Sequence, residues 1–131
     1  MLKKYFWIFL FCLFIVFSDV MPSLADTTVG GVISADTTWT LAGSPYNVTS
    51  TVQVYGTSTT PVTLTVEPGV VVKFAANTGL QIGYNSNQGA LIAQGTPSSR
   101  ISFTRSGTSG TWSGVTFQAG TVNSTSDATP V

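Results

Sequence analysis

The sequence predicts an all-β domain made of many short strands, and three features carry that expectation. First, apolar residues alternate strictly in short runs, most clearly Val62-Leu64-Val66 and Val70-Val72-Phe74, and period-2 alternation is the pattern of a strand whose successive side chains face opposite ways. Second, the runs are separated by corners rich in Gly, Pro, Asn and Ser, the residues that punctuate turns. Third, outside the first 25 residues no stretch shows apolar spacing at i, i+3, i+4 and i+7 with caps, so essentially no helix is expected. Two architectures fit short strands with very uneven corners: a β-sandwich, or a solenoid in which each turn of chain lays its strand on the one below.

The N-terminus reads as an export signal. Lys3 and Lys4 precede an unbroken apolar run over residues 5–17 (YFWIFLFCLFIVF), which is shorter than the roughly 20 residues that span a bilayer. Pro22 follows, and Ser23-Leu24-Ala25 places small residues where a signal peptidase reads them, so cleavage is expected after Ala25. Asp19 and Pro22 argue against an uncleaved anchor. Cys12 sits inside the apolar run behind Leu10 and Phe11, which does not make a lipoprotein site. The expected location is secreted, extracellular or at the cell surface, with a signal-peptide helix before the β domain and no stable membrane span after cleavage.

Cleavage would remove the single cysteine, and with it any disulfide, thiol nucleophile or thiolate ligand. Lys73, Arg100 and Arg105 would then face Asp26, Asp36, Glu67 and Asp127. Three cations cannot neutralise a row of phosphates, so nucleic acid is not an expected partner. Roughly a third of the remaining residues are Ser or Thr, which suits solvated strand faces and turns.

In chain order, short strands are expected near 32–33, 39–41 and 51–55, with Ser44-Pro45 as a corner between them. Residues 56–61 (GTSTTP) form a loop into the strand at 62–66. Pro68 cannot donate to a ladder, so Glu67-Pro68-Gly69 must turn the chain before the strand at 70–74. After a turn at 77–79 come a strand at 80–82 and a polar loop at 83–89 (GYNSNQG), whose residues tolerate left-handed dihedrals. Further strands follow at 90–93, 100–104 and 112–117, separated by the corner 95–97 and the loop 106–111. Asn-Gly and Asp-Gly hairpin signals are absent, which counts against an antiparallel sandwich.

These residues suggest a family. TLTVEPGVVVKF (63–74), GLQIG (79–83), GALIAQGTPSSRISFT (89–104) and WSGVTF (112–117) resemble the first coils of bacterial secreted right-handed parallel β-helix repeat proteins. The matching positions include Trp39, Tyr46, Leu64, Glu67, Pro68, Gly69, Phe74, Gly89, Leu91, Ala93, Gly95, Thr96, Ile101, Phe103, Trp112, Gly114, Val115 and Phe117. The resemblance implies a short solenoid: capping strands over 26–56, β-helix coils over 57–119, and a polar tail over 120–131 that is disordered or begins a missing coil. It also implies more coils than this chain holds, so the chain reads as a truncated solenoid or a fragment of a longer surface protein. An uncapped last coil exposes unpaired backbone groups and apolar core, so self-association through the C-terminal end is expected.

The residues offer little chemistry. There is no histidine, which removes the commonest general base and metal ligand. A glycosidase pair needs two carboxylates about 5 to 10 Å apart, and the four available are scattered. Glu67 reads as a corner residue rather than a catalytic acid or Ca²⁺ ligand, and Lys73, Arg100 and Arg105 as solvated strand-face charges. No catalytic, metal or cofactor site is expected. Tyr84, Trp112 and Tyr55 are the candidate carbohydrate contacts, set against the alternative that such rings pack at the core or close an end. Three functional readings follow: a non-catalytic structural or adhesive β-helix module meeting an extracellular polysaccharide, the N-terminal part of a carbohydrate-active β-helix enzyme, or an immunoglobulin-like binding sandwich.

Overall fold

The computed structural model describes residues 26–122 and the strand Thr125–Ser126. The expected leader helix, Cys12 and the cleavage position after Ala25 lie outside the described residues, as does Asp127. The described chain is all-β: β1 (Thr27–Ile33), β2 (Thr37–Trp39), β3 (Tyr46–Val54), β4 (Val62–Val66), β5 (Val71–Phe74), β6 (Leu80–Ile82), β7 (Gly89–Ala93), β8 (Ser102–Arg105), β9 (Val115–Phe117) and β10 (Thr125–Ser126). A single 3₁₀ turn at Leu41–Gly43 accompanies them. No helix among the described residues is long and apolar enough to cross a membrane.

Every pairing between these strands is parallel, and no strand pairs with its neighbour in sequence. An immunoglobulin-like sandwich needs antiparallel partners, so that alternative falls. One sheet runs β8-β5-β3-β6-β9 with β1 also on β3, and the other runs β10-β7-β4-β2. The first sheet is curled, because β3 is long enough to serve two partners: its residues 46–48 pair with β5 and its residues 52–54 with β6. The chain thus visits three rows in a repeating order, one row in the second sheet and two in the first. Thr37 lies opposite Leu64 and Val62 opposite Gly89, a step of 27 positions each time. Consecutive strands lie in different rows, so parallel pairing is achieved without a helical crossover.

Several boundaries differ from the expected ones. β1 begins at Thr27 rather than near Val32 and runs through Gly30-Gly31, with a register irregularity between Val29 and Gly31. β2 ends at Trp39, and Leu41 belongs to the 3₁₀ turn. β3 starts at Tyr46, directly after the Ser44-Pro45 corner. β8 and β9 start two and three residues later than the apolar patterns at 100–104 and 112–117 imply. In each case partner register, not the chain's own alternation, sets where pairing starts.

Alternation places one side of each strand in a single core. β4 buries Val62, Leu64 and Val66 while Thr63 and Thr65 stay half-exposed. Val52, Val54, Val72, Phe74, Leu80 and Ile82 complete the same layer. Residues in register stack vertically: Ile33, Val54, Ile82 and Phe117 form one row, and Gly31, Val52, Leu80 and Val115 another. At the β1 end, Trp39 and Tyr46 stack with ring centroids 4.9 Å apart. The Tyr46 hydroxyl accepts the Thr40 N–H at 2.8 Å and faces the Thr40 carbonyl at 3.3 Å, which satisfies its polar tip inside the apolar layer.

Corners are tied to one another and to neighbouring strands. Residues 67–70 close on a Val70 N–H to Glu67 carbonyl bond of 3.3 Å, with Gly69 at φ 82° behind Pro68, the pattern of a type II turn that needs glycine at its third position. The Glu67 carboxylate accepts the Leu41 N–H at 2.8 Å, and Asp36 accepts the Thr63 N–H at 2.8 Å. Both acids therefore satisfy backbone donors of a neighbouring segment. On the outer face Gln53 donates through Nε2 to Gln81 Oε1 at 2.8 Å, directly across the β3–β6 pairing.

Candidate functional site

An uncharged polar corner lies where the chain leaves β3 and β6 and enters β4 and β7. The lower loop, residues 55–61, turns on Thr57: its N–H donates to the Thr60 carbonyl at 2.9 Å, and its Oγ1 accepts the Thr60 N–H at 3.0 Å. A hydroxyl that satisfies the turn in this way holds a loop without side-chain packing. The upper loop, residues 83–88, makes a tight reversal in which Tyr84 and Asn87 exchange backbone bonds of 3.2 and 2.8 Å. Asn85 and Ser86 carry φ values of 46° and 66°, the double left-handed pattern of a type I′ turn.

Gln88 binds the two loops into one block. Its carbonyl accepts from Gly56 N–H at 2.9 Å and Val62 N–H at 3.2 Å, and its own N–H donates to Thr57 at 2.9 Å. Its side-chain Nε2 donates to the Ser58 carbonyl at 2.8 Å. Four bonds from one residue span both loops, so the corner is held by backbone and amide contacts rather than by charge. Nothing in the sequence singled out Gln88 or Thr57; their roles depend on two loops about 30 residues apart lying one on the other, a neighbourhood that only the parallel stack creates.

Two of the three expected aromatics meet here. Tyr55 and Tyr84 stack with ring centroids 5.4 Å apart and planes inclined by 30°. Tyr84 is exposed and Tyr55 is half-buried. Because the rings cover one another, they do not form one flat two-ring platform; what remains for a ligand is the free face of Tyr84 and the edges of the pair. Trp112 is not part of this corner. It lies between β8 and β9, half-buried, stacked on Phe74 at 4.5 Å with an interplanar angle of 17°. Packing against the core explains it, because its indole covers the ring of the largest fully buried side chain.

The carboxylates do not converge on the corner. Glu67 and Asp36 are engaged with backbone donors elsewhere, and Asp26 lies before β1. The shelf formed by residues 55–61 and 84–88 carries hydroxyls, amides and two phenols, and no charged side chain. Such a surface can accept and donate many neutral hydrogen bonds around one aromatic face. Comparison of the chain with protein-family models, with curated proteins and with solved structures finds no match.

The turn itself allows a stability test. Ser86 holds a left-handed conformation that a Cβ disfavours by roughly 1–2 kcal/mol, whereas glycine adopts it freely. Ser86→Gly is expected to stabilise the domain by about 0.5–1 kcal/mol after the entropic cost of glycine in the unfolded chain. Urea unfolding would read this as a higher midpoint at unchanged slope, and a lower midpoint would show that Ser86 contributes more than its backbone.

Proposed function

We propose that this chain is a right-handed parallel β-helix that acts as a non-catalytic, exported structural and adhesive module, meeting a neutral extracellular polysaccharide at the Tyr55–Tyr84 corner. Parallel pairing throughout and three rows visited in fixed order favour the β-helix reading, with a step of 27 positions from β2 to β4 and from β4 to β7. Right-handedness follows the strong general preference of parallel crossover connections. Export rests on the basic, apolar and small-residue pattern of the first 25 residues.

The observation that carries the ligand class is the uncharged shelf, in which an exposed tyrosine stands among Thr57, Asn85, Asn87 and Gln88 on a backbone tied by four bonds from one residue. Saccharides offer hydroxyls to such groups and one apolar ring face to an aromatic. A rigid shelf also loses little conformational freedom on binding.

Affinity electrophoresis in gels containing neutral polysaccharides checks this reading. The wild-type chain is expected to be retarded by at least one neutral glycan. Tyr84→Ala should lose most of that retardation while its thermal midpoint stays within a few degrees, because the ring is exposed and outside the core. A wild-type chain that migrates freely through every neutral glycan tested, or equal retardation of the variant, refutes the site.

A further inference from the structure

We propose that Tyr55 and Tyr84 are an oxidative modification site: one-electron oxidation of the two stacked phenols, by a peroxidase using hydrogen peroxide, joins them ring carbon to ring carbon and staples the loop 55–61 to the loop 83–88. This goes beyond the saccharide reading and does not rest on it, because coupling needs two phenols in contact and no ligand.

The backbone holds the pair together from both sides. Val54 lies opposite Ile82 at the end of the β3–β6 ladder, and the Val54 carbonyl also accepts the Gly83 N–H at 2.9 Å. On the far side of Tyr55, the Gly56 N–H donates to the Gln88 carbonyl at 2.9 Å. Tyr84 is itself fixed by its two backbone bonds to Asn87. Main-chain contacts therefore keep the rings in register at a centroid separation of 5.4 Å, and proximity of this kind turns an encounter into an intramolecular step. Tyr84 is 36% exposed and Tyr55 half-buried, so an oxidant in solution reaches the pair and its protons leave to water.

Competing electron donors among the described residues are absent or covered. Cysteine and methionine, the usual sites of side-chain oxidation, occur only at Cys12, Met1 and Met21, outside the described residues. Trp39 and Tyr46 are buried and stacked on each other, and Trp112 is half-buried with one face on Phe74. In the coupling, each phenol gives up one electron and one proton, and hydrogen peroxide takes up both pairs and leaves as two waters. Contact between the rings lets an electron pass from Tyr55 to oxidised Tyr84, so the oxidant needs to reach only the exposed ring. The two phenoxyl radicals carry spin on the carbons beside oxygen. A bond forms between one such Cε of each ring, and the hydrogens on those two carbons move to the oxygens to restore both phenols.

Tryptic mapping provides the test. The full chain is treated with a haem peroxidase and an equimolar amount of hydrogen peroxide, then denatured and digested. Cleavage after Lys4, Lys73 and Arg100 places Tyr55 in the peptide 5–73 and Tyr84 in the peptide 74–100. The expected product is a joined peptide two hydrogen atoms lighter than their sum, with dityrosine fluorescence. In dilute solution it should exceed covalent dimer at least about tenfold, since a tethered pair meets at a high effective concentration. Tyr55→Phe and Tyr84→Phe should each lower its yield at least about tenfold. Tyr5→Phe, which removes the tyrosine that begins the first peptide, should leave the yield unchanged. The joined chain should also unfold at a higher thermal midpoint than the untreated one, because the new bond closes a loop in the unfolded state. A joined peptide that survives Tyr55→Phe overturns the proposal, as does a product dominated by covalent dimers or by oxidised tryptophan. A joined chain whose midpoint does not rise overturns the stapling.

Discussion

Phe74→Ala is expected to destabilise the domain by about 4 kcal/mol, close to the full range for emptying a buried phenylalanine site. Phe74 is completely buried at the end of β5. Its ring stacks on Trp112 at 4.5 Å and meets Phe103 at 6.4 Å, so alanine would leave two aromatic partners without a surface. Val48 flanks it in register on the adjacent β3, and strands locked into ladders on both sides cannot collapse into the void. Urea unfolding followed by tryptophan fluorescence should show the loss, with an early change in the environment of Trp112. Phe117→Ala is the matched control: it lies at an inward register position, but half its surface is exposed, so it should cost well under 1 kcal/mol in the monomer. Equal losses at the two positions would mean that the core is not layered as described.

Gly89→Ala is expected to cost about 3 kcal/mol, at the upper end of overpacking, and to remove the glycan retardation proposed for the neighbouring corner. A Cβ at Gly89 would collide with the Val54 carbonyl oxygen, and its next neighbour is the Gly83 amide nitrogen at 2.8 Å. Both obstacles are backbone, so no side chain can swing away. Gly89 also donates to the Gly120 carbonyl at 3.1 Å and accepts from Val122 N–H at 2.9 Å. It adjoins Gln88, whose bonds hold the two loops together. Thermal unfolding and affinity electrophoresis on the same variant read both effects. A stable variant that has lost glycan retardation would still mark the corner as the binding site, whereas an unchanged midpoint would refute the close approach.

Some of this was legible from residues alone, because it depends on contacts within a few positions. The alternation in Val62–Val66 and Val71–Phe74, the Pro68-Gly69 turn and the left-handed tolerance of residues 83–89 are all local, and each appears where its pattern lies. Strand starts were less legible. Gly30-Gly31 has weak strand propensity, yet β1 passes through it because β3 offers a ladder there. Trp112 illustrates the same limit for the site. Its sequence context allowed an exposed platform or a core contact, and the choice was made by Phe74, which lies 38 positions away in sequence and directly beneath it.

By itself, then, the amino-acid order determined that this protein is built of short strands with few charges, that a stretch with two lysines and an unbroken apolar run precedes them, and that the sequence contains no histidine. Those properties follow from composition and from the two-residue repeat of an extended chain. Only the tertiary structure decided that neighbouring rows run parallel, that Tyr55 and Tyr84 share a corner while Trp112 covers the core, and that Gln88 joins two loops. The reason is physical: parallel pairing lays residues 19 to 35 positions apart side by side, and contacts at that separation are set by which strand lies beneath, not by adjacent residues.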